Sequence, residues 1–169
     1  MSPNIILIGM RGSGKSSIGR RLARAAHRPF IDLDDELARR VGRAVDVLLA
    51  ERGEAAFRRL ESTVLAWAAT RRGHVVATGG GAVLHPRPFA ALAATGVVVY
   101  LQASAAELVR RGAGRSRPAL TALPPYDEVR TLLRRRENLY REAARFTIPV
   151  AHTDPILALL HVLYEVERN

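Results

Sequence analysis

Short apolar runs alternate along the chain with stretches whose apolar residues return every three or four positions. Asn4 to Ile8 is aliphatic, largely β-branched, and stops at Gly9, as a buried parallel strand does. Past the glycine-rich stretch that follows, Ile18, Leu22 and Ala25 share one helical face. Pro29 stops that helix, and Arg28 to Asp32 reads as a second strand. Helices are predicted over 34–41 and 45–51, punctuated by Gly42 and Gly53. A longer one is predicted over 54–70, where Phe57, Leu60, Val64 and Trp67 recur at spacings of three and four. His74 to Ala77 is a third strand that runs into Thr78-Gly79-Gly80-Gly81, and Val97 to Leu101 is a fourth, with helices over 86–94 and 105–111 on either side of it. Residues 112–125 mix Gly, Arg, Ser and Pro without periodicity and read as a mobile surface loop. A strong helix over 126–144, a short strand over 146–150 and a helix over 155–167 complete the pattern.

Strands that alternate with helices call for right-handed crossovers. The predicted fold is therefore α/β: a three-layer sandwich with a five-stranded parallel sheet flanked by helices, in one domain over residues 1–169. Ligands in such sheets bind beyond the carboxyl ends of the strands. Those ends carry Gly9 to Ser16, Asp32 with Asp34, and Gly79 to Gly81, so three separate segments are expected to converge on one rim.

Composition narrows the class. With 169 residues and 18.5 kDa the chain suits a single domain with a complete core. It contains no cysteine, which excludes disulfides, thiolate zinc sites, iron–sulfur clusters and cysteine nucleophiles and favours a reducing compartment. The start has neither the basic flank nor the apolar length of a signal peptide, and no run is long enough to span a bilayer. A cytoplasmic protein without a membrane partner, and a monomer, are the expectations. The formal net charge is +10, and of the 26 Lys plus Arg all but Lys15 are arginine. Such a balance fits polyanion binding or biased codon usage, and composition does not choose between them. Aromatics are only 5%, with no stacking platform or recognition motif, which weighs against a specific nucleic-acid module.

The octet Gly9-Met10-Arg11-Gly12-Ser13-Gly14-Lys15-Ser16 matches G-x-x-x-x-G-K-S between a predicted strand and a predicted helix. Glycines let successive backbone N–H groups turn inward on phosphate oxygens, and the helix N-terminus adds its partial positive charge. Arg11, Gly12, Ser13, Gly14, Lys15 and Ser16 are thus candidate ATP-binding residues, with Lys15 on the β- and γ-phosphates and the Ser16 hydroxyl on Mg²⁺. This motif position holds the only lysine in the chain. Asp32 and Asp34, if strand geometry persists, both point to the rim: Asp32 towards Mg²⁺ through water, Asp34 towards an acceptor hydroxyl that it binds and deprotonates. The plainer alternative for Asp34 is a cap on the following helix. Glu54, Arg58 and Glu61 share a helical face and read equally well as a solvated ion-pair ladder or as two carboxylates aiming Arg58 at an anionic group. Three successive glycines, Gly79 to Gly81, exceed what a tight turn needs and leave backbone open to close approach by a ligand. Arg115 and Arg117 are placed to close over a nucleotide. Of Arg134, Arg135 and Arg136, one or two can face a cleft.

Taken in order, Gly-Met-Arg-Gly-Ser-Gly-Lys-Ser, Asp-Leu-Asp at 32–34, Gly-Glu-Ala-Ala-Phe-Arg-Arg-Leu-Glu at 53–61, Gly-Gly-Gly at 79–81, Val-Tyr-Leu at 99–101, Arg-Pro at 117–118 and Arg-Glu-Asn-Leu-Tyr at 136–140 resemble the shikimate kinase family. That family is one of the nucleoside-monophosphate-kinase-like P-loop proteins. The resemblance spans nearly the whole chain and implies Mg²⁺-dependent transfer of the ATP γ-phosphoryl group to the 3-hydroxyl of shikimate. It further implies Asp34 on the ring hydroxyls, Arg58 and Arg136 on the carboxylate, and the Gly80 backbone on the substrate. Arg117 would belong to a lid over 112–125, Arg110 would lie near adenine, and the helical region 34–61 would bind substrate. Ala38, Leu49 and Ala119 depart from the resembled pattern, the first two beside the expected acceptor pocket. A kinase for another small hydroxylated acid, gluconate or quinate, is the competing reading.

Overall fold

The computed structural model describes residues 2–112, 123–151 and 155–168. Its strands are β1 (Asn4–Ile8), β2 (Phe30–Asp32), β3 (Val75–Ala77), β4 (Gly96–Gln102) and β5 (Phe146–Pro149). All pair in parallel in the order β2-β3-β1-β4-β5. β1 is central and fully buried, with Ile5 opposite Val75 on one side and Val97 on the other. Its continuous aliphatic run is what a strand covered on both faces requires.

The helices are α1 (Lys15–Ala25), α2 (Leu33–Val41), α3 (Val45–Ala68), α4 (Pro86–Ala93), α5 (Ala105–Arg110), α6 (Pro125–Ala143) and α7 (Pro155–Arg168), with one 3₁₀ turn at Ala82–Leu84. The crossover from β1 to β2 runs one way along the sheet and that from β3 to β4 the other. A right-handed connection therefore puts α1 and α4 on opposite faces. α1 packs with α7, while α4 packs with α3 and β4. The result is the three-layer α/β sandwich expected from the pattern. In α1 the buried apolar side chains are Ile18, Leu22 and Ala23, and Ala25 is exposed.

Two departures matter for the site. β2 is shorter than the predicted 28–32, and α2 begins one residue past it because Asp32 caps that helix. The Asp32 Oδ1 accepts from the backbone N–H of Asp34 at 3.0 Å and of Asp35 at 3.4 Å. Asp34 thus stands on the first turn of a helix, and strand alternation does not set its direction. In the second departure, the helices predicted over 45–51 and 54–70 run on as α3 without a loop, kinked at Gly53, whose φ of 73° suits glycine.

At the amino end of the sheet, Asn4 is buried and ties three segments together. Its Nδ2 donates to Arg71 O and Thr95 Oγ1, and its Oδ1 accepts from His74 N–H, each at 2.8 Å. One end of the sheet is thereby fastened, leaving the carboxyl end to carry chemistry.

Candidate active site

Between β1 and α1 the backbone folds into a tight cradle. Gly12 and Gly14 take φ of 85° and 92°, conformations that side chains rarely adopt. The Ser13 N–H donates to Met10 O at 3.1 Å, and Ser13 itself is fully buried. Lys15 opens α1 and curls back, its Nζ donating to Gly9 O and Met10 O at 2.8 Å each. The ammonium is thus held over the loop, with only 8% of the residue exposed.

Beside it lies a cavity of about 580 Å³. The loop and the start of α1 contribute Arg11, Gly12, Gly14, Lys15, Ser16 and Ser17. Asp34 comes from α2, Thr78 and Gly80 from the segment after β3, and Arg111 from the end of α5. The three rim segments expected from the sequence do meet in one place. The loop donors are cationic or neutral, so the cavity is suited to an anion.

Next to this cavity the triple glycine makes room for a charged cluster. A Cβ on Gly81 would lie 2.1 Å from Arg58 Nη1, and one on Gly79 would lie 2.6 Å from Glu61 Oε1 and 3.0 Å from Asp34 Oδ1. Arg58 Nη1 donates to Glu61 Oε2 at 2.7 Å, and its Nη2 to Glu54 Oε1 at 3.0 Å. Both flanking carboxylates therefore grip the guanidinium, as the i, i+4, i+7 spacing allows. Burial opposes the charge on Glu61, but hydrogen bonds from His85 and Arg58, with the Arg58 charge, hold its carboxyl below the ordinary value. On the other flank, Arg136 is buried and its Nη1 donates to Gly80 O at 3.2 Å. The Tyr140 hydroxyl donates to the same carbonyl at 2.5 Å. Burial, helped by the Glu61 charge and opposed by Arg136 and Arg58, pushes the Tyr140 phenol up to about 12, so it stays a neutral donor near neutrality. Two arginines, Arg58 and Arg136, thus bracket three glycines beside a phosphate loop.

A family model for shikimate kinase matches residues 11–166. The chain belongs to the shikimate kinase family. A shikimate kinase from Bordetella avium is 46% identical over 169 residues, covering 98% of this chain and 81% of that protein. The structure of a shikimate kinase from Acinetobacter baumannii in complex with shikimate superimposes with a TM-score of 0.90 at 35% identity, covering 98% of this chain and 94% of that one. A gluconokinase from Sinorhizobium meliloti shares the fold alone, with a TM-score of 0.61 at 20% identity over 98% of this chain and 92% of that one. The chain is an ATP-dependent kinase acting on shikimate, and the gluconate alternative is not favoured.

The remaining candidates fall in different places. Arg110 does not line the cavity: it is exposed and bonds Glu107 at 2.7 and 2.8 Å. Its neighbour Arg111 does, held by Glu107 and by Val150 O at 3.0 Å. Arg115, Arg117, Ala119 and most of the expected lid lie outside the described residues. Ala38 and Leu49 are partly buried against the core.

The sequence reading assigned no role to Tyr140, Arg111, His85 or the buried Glu128, whose Oε1 lies 3.7 Å from Arg11 Nη2. For Tyr140 a signal was present, since it lies four residues beyond Arg136 and therefore on the same helical face. The other three carried no local signal.

For Mg²⁺ the cavity offers hard oxygens, the Ser16 hydroxyl and the Asp34 carboxylate, while the Asp32 carboxylate caps α2 and is not among the residues that line it. That set fits an ion that keeps several waters and takes the rest of its shell from phosphates.

Proposed function

We propose that transfer goes from the γ-phosphate of ATP to the 3-hydroxyl of shikimate, and that the two neighbouring half-sites divide the work. Support comes chiefly from the phosphate loop and Asp34 sharing one cavity, with Arg58 and Arg136 flanking its Gly80 wall.

In this reading Arg11, Gly12, Ser13, Gly14, Lys15 and Ser16 bind the triphosphate, and Arg110 and Arg111 serve its base end. Ser16 directly, and Asp32 through water, hold Mg²⁺, which when bound offsets charge on the phosphate oxygens. Arg58 and Arg136 take the acceptor carboxylate, while Gly79, Gly80 and Gly81 let the ring approach the backbone. Asp34 accepts the proton of the attacking hydroxyl as the new O–P bond forms and the bond to ADP breaks. Lys15 and Arg117 neutralise charge on the phosphoryl group in flight. The region 34–61 acts as the acceptor-binding part and 112–125 as the lid of a single domain. The setting we propose is a cytoplasmic monomer with no specific nucleic-acid partner and no membrane partner.

A coupled assay of ADP release with shikimate, quinate and gluconate tests the acceptor. Shikimate is expected to give a kcat/KM at least about 100-fold above the other two, because a site built around one set of hydroxyls leaves polar groups unpaired with another. Turnover with gluconate but not shikimate would overturn the reading.

A further inference from the structure

Behind Arg58 stands a histidine that the chemistry above does not use. His85 follows the 3₁₀ turn, and its backbone is pinned on both sides: its N–H donates to Ala82 O at 3.1 Å, and its carbonyl accepts from Phe89 N–H at 2.9 Å. Pro86 follows it and restricts its backbone further. Its Nε2 lies 2.8 Å from Glu61 Oε2, the same oxygen that Arg58 Nη1 holds at 2.7 Å. Both side chains of the pair are nearly shielded from water, His85 at 11% and Glu61 at 9% exposed. An ionised carboxylate only accepts hydrogen bonds, so Nε2 is the ring nitrogen that carries the proton in this pair.

We propose that His85 is a positioning residue for the acceptor site, which it tunes by sharing one carboxylate oxygen with the substrate-binding Arg58. The proposal rests on the assignment of Arg58 to the acceptor carboxylate. The Nε2–H bond fixes Glu61 Oε2, and with it the carboxylate that holds the Arg58 guanidinium in place for an incoming acceptor carboxylate. Without that bond Glu61 is free to turn, and Arg58 loses part of its alignment.

Other charged groups also face this cluster. Glu54, Arg58 and Glu61 come from α3, and Asp34 of α2 lies with Glu61 beside Gly79. Arg136 and Tyr140 come from α6, and Arg87 on α4 is exposed. A pair of variants that removes or keeps only the His85 hydrogen bond separates the histidine from all of them: His85→Ala removes it, and His85→Gln keeps it by offering a neutral N–H donor.

The test is shikimate binding by calorimetry, with KM for MgATP measured alongside. His85→Ala should weaken acceptor binding about 5- to 10-fold with MgATP KM unmoved. His85→Gln, which keeps an N–H donor, should match wild type within about twofold. Arg58→Ala, run beside them, should lose most acceptor affinity. Wild-type binding by His85→Ala while Arg58→Ala fails would overturn the role of His85 and leave Arg58 standing. Failure of His85→Gln to restore binding, or an equal rise in MgATP KM in His85→Ala, would also overturn it. Wild-type binding by Arg58→Ala would instead remove the acceptor assignment beneath it. If His85→Ala does not fold, His85→Leu, which keeps bulk but offers no donor, takes its place with the same outcomes.

Discussion

Lys15→Ala is expected to lower kcat by roughly 10³-fold, about 4 kcal/mol of transition-state stabilisation, while the protein stays folded. The size follows from where the ammonium sits. Two backbone carbonyls of the loop hold it at 2.8 Å, already in the cavity and almost out of water. It needs no reorganisation when charge builds on the phosphoryl oxygens, and preorganised charge in a shielded site acts far more strongly than in water. Folding should tolerate the loss. Removing the side chain opens space beside the cavity through which water can reach the two freed carbonyls, so Tm should fall by less than about 5 °C. Lys15→Arg should not rescue activity, because the planar guanidinium fork cannot occupy the site of a compact point charge. Circular dichroism together with single-turnover phosphoryl transfer checks this. Near-wild-type transfer by folded Lys15→Ala would remove Lys15 from the chemistry.

Gly81→Ala should do to the acceptor what Lys15→Ala does to the phosphoryl group. The backbone there has φ of −97°, which alanine adopts freely, so no strain enters through the main chain. The added methyl, however, would fall 2.1 Å from Arg58 Nη1 and 3.2 Å from Glu61 Oε2. Arg58 is long and can swing aside at modest cost, so stability should change by about 1 kcal/mol or less, about 2 to 4 °C in Tm. Function has no such latitude. Displacing the guanidinium by an ångström or more spoils a carboxylate clamp, and acceptor KM should rise about 10- to 100-fold with MgATP KM unchanged. Steady-state kinetics with each substrate varied in turn gives the answer. An unchanged acceptor KM would mean that Arg58 has no part in holding that substrate.

Much of this was legible in the sequence because it is local. The aliphatic run of β1, the glycine octet and the break at Gly53 each carry their geometry within a few residues. Glu54, Arg58 and Glu61 announce their pairing through helical periodicity alone. What local pattern left open was settled by neighbouring structure. Asp32 reads as the end of a strand, yet the same carboxylate is a good helix cap, and capping won, so Asp34 enters the cavity from a helix. Arg110 and Arg111 are adjacent and chemically identical, and only the direction of α5 against the loop decides which of them reaches the cavity. Tyr140 follows Arg136 at helical spacing, but the contacts of Arg11 with Glu128 and His85 with Glu61 join segments far apart in the chain, so no spacing rule reveals them.

The central claim is transfer of a phosphoryl group to one particular hydroxyl, and the most direct measurement is the structure of the product. Wild-type enzyme incubated with MgATP and shikimate should yield, by phosphorus and proton NMR, a single phosphomonoester whose phosphorus couples to the proton on the ring carbon bearing the 3-hydroxyl. Phosphate on another hydroxyl, or inorganic phosphate and ADP with shikimate unaltered, would contradict the account.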